Sequence, residues 1–141
     1  MNDRVRGVVV CHGGLAGALV QAVHSITGLG DSLVPVSNDD CDREAISRRI
    51  TEAIGSEPAV VFVDMPTGSC MMAALRELEG MRGATIVTGV NLPMLIDFVF
   101  HSDPSPAEAA QRAKTAGAAA IKAPWCQWRC IASMIVSSTD R

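Results

Sequence analysis

The chain has 141 residues, about the length of one domain, and 48% of them are apolar against 19% charged, which excludes a disordered tail or acidic linker and implies a packed core. Twelve Lys and Arg against fifteen Asp and Glu give a formal net charge of -3, so the sequence lacks the basic footprint of a nucleic-acid partner or of attraction to an anionic membrane. Direct membrane insertion is not expected either: no run reaches the ~18 apolar residues of a span, and the best stretch, residues 7–20, is broken by His12, Gly13 and Gly14.

In chain order, Val5 to Cys11 reads as a buried strand, and Leu15, Leu19, Val23 and Ile26 then recur at helical spacing until Gly28 stops them. Ser32 to Val36 is a second short strand. A helix follows whose stripe is Ile46, Ile50, Ala53 and Ile54, with Asp42 and Glu44 in its first turn where they suit the dipole. Ala59 to Val63 is a third strand, and Met72, Leu75 and Leu78 mark a helix ending at Gly80. Ala84 to Thr88 makes a fourth strand. Asn91 can cap the next helix, with Pro93 in its first turn and Met94, Leu95, Phe98 and Val99 facing inward. Ser105-Pro106-Ala107-Glu108 is the clearest helix start in the chain. Gly117 is read as its end and Ala118 to Ala123 as a fifth strand.

Apolar strands alternating with helices predict an α/β fold, a three-layer sandwich with a central, mainly parallel sheet. Residues 1–124 form the expected domain. Residues 125–141 form an extension of unknown role that holds both tryptophans and two of the five cysteines, Cys126 and Cys130; Ile131 to Val136 reads as a further strand or as part of a poorly ordered tail. An odd number of irregularly spaced cysteines argues against a disulfide framework and for a reducing compartment, with the cytoplasm as the default.

In an open parallel sheet, functional groups gather beyond the carboxyl ends of the strands, where strand order reverses. The first strand ends at Cys11-His12-Gly13-Gly14, the third at Asp64-Met65-Pro66-Thr67-Gly68-Ser69 and the fourth at Thr88-Gly89-Val90-Asn91. If the order is 2-1-3-4, His12 and Asp64 lie side by side. An imidazole is a nucleophile through its unprotonated nitrogen, and a carboxylate on the other nitrogen fixes its tautomer. Helices starting after Gly13-Gly14 and near Ser69 would add free N–H groups and two positive dipole ends, an anion site suited to a phosphoryl group. Ser69 is then a helix cap or a donor to that group.

Plainer readings exist. A strand-end histidine is often structural, Asp64 could simply cap a turn, and Gly13, Gly14, Gly68 and Gly89 could serve tight turns alone. His24 falls on the polar side of its helix and His101 near a helix end. No phosphate-binding P-loop and no G-x-G-x-x-G are present, so no nucleotide cofactor is expected. A Ser69-His12-Asp64 hydrolase triad is conceivable, but the second glycine of a G-x-S-x-G elbow is missing. No metal is expected, because Cys11, His12, Cys70, Cys126 and Cys130 lack paired C-x-x-C spacing.

These strand ends carry a resemblance. Val8-Val9-Val10-Cys11-His12-Gly13 with Leu15 to Leu19, Phe62-Val63-Asp64 with Gly68-Ser69, and above all Thr88-Gly89-Val90-Asn91-Leu92-Pro93-Met94-Leu95 are similar to the EIIA component of the mannose-type (mannose/fructose/sorbose) phosphoenolpyruvate-dependent sugar phosphotransferase system. The resemblance covers roughly residues 4–123. It implies that His12 is phosphorylated by the small carrier HPr and passes the group to an EIIB component, with Asp64 orienting it and Ser69 bonding nearby. It also implies strand order 2-1-3-4 with an antiparallel fifth strand, often exchanged within a homodimer, and Ala118 to Ala123 occupies that strand's place. The loop departs from the family, which usually runs Gly-Gly-Ser-Pro and then Asn, whereas Thr67-Gly68-Ser69-Cys70-Met71-Met72 stands here.

The mechanism so implied is in-line phosphoryl transfer to Nε2 of neutral His12, with Asp64 on Nδ1–H, catalysed mainly by positioning and local positive potential. An alternative of the same fold is a regulatory interaction domain that does not serve sugar uptake.

Overall fold

A computed structural model describes residues 4–123. The elements run β1 (Arg6–Cys11), α1 (Leu15–Thr27), β2 (Leu33–Ser37), α2 (Arg43–Ile54), β3 (Ala59–Val63), α3 (Ser69–Leu78), β4 (Ala84–Thr88), α4 (Leu92–Phe100) and α5 (Pro106–Ala119). The strands pair in parallel in the order β2-β1-β3-β4, the order that the family resemblance implies.

Side chains alternate along each strand, so the sheet feeds two cores. Val9, Cys11, Val60 and Phe62 pack under Ala16 and Val23 of α1, Leu95 and Phe98 of α4, and Ala109 and Ala113 of α5. Val8, Val10, Val61 and Val63 pack on the other face under Ile46, Ile50 and Ile54 of α2 and Ala73 and Ala74 of α3. Burial on both faces is why these strands read as unbroken apolar runs. Phe62 meets Phe98 edge to face with centroids 5.1 Å apart, a contact worth about 1 kcal/mol beyond its area.

The helix starts follow the sequence where a capping side chain exists. Asp42 accepts from Ala45 N at 2.7 Å, Asn91 from Met94 N at 3.0 Å and Ser105 from Glu108 N at 3.3 Å. Gly28 closes α1 in the left-handed conformation. Two apolar positions assigned to the inner stripe of α1 differ: Leu15 and Ile26, at the helix ends, are exposed, while Val23 is buried.

The fifth strand is a correction. Residues 118 and 119 complete α5, and no strand follows through residue 123. Alanine is the best helix former, so the run Ala118-Ala119 extends the helix rather than starting a strand. Gly117 is not a stop but a close approach: a Cβ there would stand 2.8 Å from Met94 Cε, and its carbonyl accepts from Asn91 Nδ2 at 3.2 Å. Helix α3 begins at Ser69, where the sequence reading places a helix start, and buried Cys70 acts as an apolar residue of its inner face. The reading of Ile131 to Val136 lies outside the described residues.

Candidate active site

His12 follows β1 and Asp64 follows β3, the two central strands, which pair directly through Val10 and Val63. The ladder continues one step as Asp64 N donates to Val10 O at 3.3 Å. One carboxylate oxygen of Asp64 then takes two bonds from His12: the backbone N–H at 2.9 Å and the imidazole Nδ1 at 2.8 Å. Its other oxygen accepts from Met65 N at 2.9 Å. The Asp64 side chain is only 10% exposed and that of His12 is 38% exposed. Burial by itself pushes Asp64 up, but the hydrogen bonds and charge of His12 outweigh it and hold the carboxyl below its ordinary range. A carboxylate on Nδ1 selects the tautomer with the proton there and leaves Nε2 with a free lone pair.

That free nitrogen lies beside the start of α3. A Cβ built on Gly68 would sit 3.5 Å from both Nε2 and Cε1 of His12. Gly68 has φ 95°, a conformation that favours glycine, and it occupies the cap position of α3, leaving Ser69 as the first helical residue. The site thus differs from the rest of the molecule in how its helices start. Gly14 before α1 and Gly68 before α3 supply no side-chain cap, and neither first turn contains an acid. The other three helices are capped by Asp42, Asn91 and Ser105. Leu15 N at the start of α1 donates back to His12 O at 3.4 Å, whereas no side chain caps the first amides of α3, which remain for a ligand at a positive dipole end.

The glycine loop is braced by a residue that the sequence reading missed. Asn38, just beyond β2, accepts from Gly13 N at 3.0 Å and turns its amide toward Ser69 Oγ at 3.5 Å. Ser37 Oγ donates to Gly13 O at 2.7 Å. The signal was available, since β2 is the other neighbour of β1 and its end, Ser37-Asn38-Asp39-Asp40, is polar. Asn91, by contrast, works within the fold, capping α4 and tying it to α5. Ser69 faces Asn38, and no hydrogen bond joins it to His12 among the described residues, which leaves a Ser-His-Asp triad without its nucleophile contact. Two buried thiols flank the pair. Burial, with the nearby Asp64 charge, pushes Cys11 up to about 12 and Cys70 up to about 11, so both carry their protons at neutral pH. His24 lies at an exposed position of α1, and His101 is an exposed residue just past the end of α4.

Residues 7–114 match the family model described as EIIA-man, PTS system fructose IIA component. The chain belongs to this family. The fold agrees with solved EIIA structures: phosphotransferase system component EIIA from Streptococcus agalactiae shares 14% identity at a TM-score of 0.78, over 84% of this chain and 95% of that one. The mannose/sorbose-specific IIA subunit from Enterococcus faecalis shares 19% at a TM-score of 0.75, over 84% and 93%. A sigma-54 interaction domain protein from Enterococcus faecalis shares 14% at a TM-score of 0.65, over 90% and 100%. No curated protein sequence matches the chain. Among the described residues no helix of this EIIA chain is long and apolar enough to cross a membrane.

Proposed function

We propose that this EIIA protein is a phosphoryl carrier, accepting phosphate on His12 from an HPr-like phosphocarrier and passing it to an EIIB component. The observation that carries the reading is an imidazole held through Nδ1 by Asp64, with Nε2 turned to the uncapped start of α3. In the forward step the Nε2 lone pair forms the new N–P bond as the bond between phosphorus and the donor's histidine breaks. The ring gains positive charge, which Asp64 offsets through Nδ1–H. Amides at the start of α3, and the Ser69 hydroxyl, bond the phosphoryl oxygens. The return step to EIIB runs through the same contacts in reverse.

Around the opening, Leu15, Met65 and Met72 are 44%, 45% and 57% exposed. Such side chains at the start of α1, beside Asp64 and in the first turn of α3 suit a partner that must cover the site and exclude water during transfer. The test is incubation with phosphoenolpyruvate, enzyme I and HPr, followed by mapping of acid-labile phosphate. Label on His12 is expected; label surviving His12→Ala would refute the assignment. The altered Thr67 to Met72 loop and the fold shared with a sigma-54 interaction domain protein favour a second reading, a regulatory domain that accepts label but passes it poorly to EIIB.

A further inference from the structure

Cys70 stands in the first turn of α3, fully buried, and the fold brings it to the His12–Asp64 pair. One ligand atom from each of His12, Asp64 and Cys70 lies within 4.8 Å of the other two. Imidazole nitrogen, carboxylate oxygen and sulfur form a mixed donor set, which suits a borderline-soft divalent ion such as Zn2+. In a tetrahedral site with metal bonds of about 2.0–2.3 Å, neighbouring ligand atoms stand about 3.5 Å apart, so the His12 Nδ1–Asp64 contact of 2.8 Å opens by less than about an ångström and Cys70 closes by about an ångström. The His12 side chain is the exposed member of the three and gives the ion its way in.

We propose that Zn2+ binds His12 Nδ1, Asp64 and Cys70, with water in the fourth position, and thereby switches phosphoryl acceptance off. The ion takes the place of the proton between Nδ1 and Asp64. That proton moves to Nε2 as the imidazole changes tautomer, and the Cys70 thiol releases its own proton to solvent as the S–Zn bond forms. One proton leaves per ion bound. The nitrogen proposed above as nucleophile is now protonated, so an ion and an incoming phosphoryl group exclude each other. The inhibitory consequence rests on the phosphocarrier reading; the binding of the ion does not.

Co2+ is the probe for the ion. Titration of the full chain, reduced and metal-free, should give one equivalent of a tetrahedral Co2+ spectrum with a thiolate-to-metal charge-transfer band, displaced by Zn2+. Cys70→Ser and Cys70→Ala should each lose that band and weaken Zn2+ binding about tenfold or more, with circular dichroism showing the fold retained. A Cys126→Ser/Cys130→Ser double variant should keep it. A band that persists in both Cys70 variants, or no thiolate band in the parent chain, would overturn the proposal. In the phosphorylation assay, Zn2+ should slow labelling of the parent chain and spare Cys70→Ser, while both proteins label equally in chelator. Absence of label in chelator would sink the phosphocarrier reading and leave the Co2+ result standing by itself.

Discussion

Among the described residues two histidines pair with carboxylates, and the surroundings of the two pairs differ. At the carboxyl end of the sheet, Asp64 has no arginine or lysine partner among the described residues, and its acceptor capacity goes to His12 and the adjoining amides. At the far end of α4, Asp97 and Asp103 are both joined by the Arg112 guanidinium. His101 Nδ1 there lies 2.6 Å from Arg112 Nη1 and 2.8 Å from Asp97 O. Arg112 holds Asp103 below its ordinary range and is itself raised by the pairing. Proximity to a carboxylate is thus shared by both histidines, and the difference is that only beside His12 is the carboxylate free of an arginine and able to balance charge on the ring.

The sharpest way to break this comparison is to remove each imidazole. His12→Ala should abolish acid-labile phosphorylation, whereas His101→Ala should leave it at the parental level. Next comes Asp64→Asn, which keeps the shape but removes the charge; phosphoryl transfer in a rapid-quench assay should slow by about a hundredfold. Arg112→Ala should leave transfer unchanged and cost about 1–2 kcal/mol of stability in urea unfolding, because two partly buried carboxylates lose their partner. The smallest effect is expected from Asn38→Ala, a slowing of about fivefold from a loosened glycine loop, read in the same rapid-quench assay.

Acid supplies a further contrast. Asp64 is depressed in the folded chain, so the stability it contributes is fully present above the unfolded carboxylate value of about 4 and is lost as pH falls through its lower native value. Asp64→Asn should therefore show a smaller fall in Tm than the parent between about pH 5 and pH 3.

Much of this was legible in the residues. Strand-end position placed His12 beside Asp64 because adjacent parallel strands end together, and the capping residues Asp42, Asn91 and Ser105 marked helix starts by a local mechanism that needs no tertiary context. Gly117 misled because the same residue serves two ends: it stops helices, and it lets helices touch. Only the position of Met94 across the interface tells them apart. Asn38 escaped because its importance lies in reach across strands, not in its neighbours along the chain. Cys70 reads in the sequence only as one of several thiols without ligand spacing, and it is β3 and α3 that bring it to the His12–Asp64 pair.

The direct pairing of Val10 with Val63 makes the sheet a ruler for the site. The distance from imidazole to carboxylate is set by backbone register rather than by loop conformation. A single residue inserted into β3 would invert the facing of everything after it and carry Asp64 to the opposite layer, even if the valines of the sheet still packed. The His12–Asp64 pair is thus tied to the hydrogen-bond ladder of the sheet, whereas residues 65–68 lie beyond the end of β3, outside that ladder.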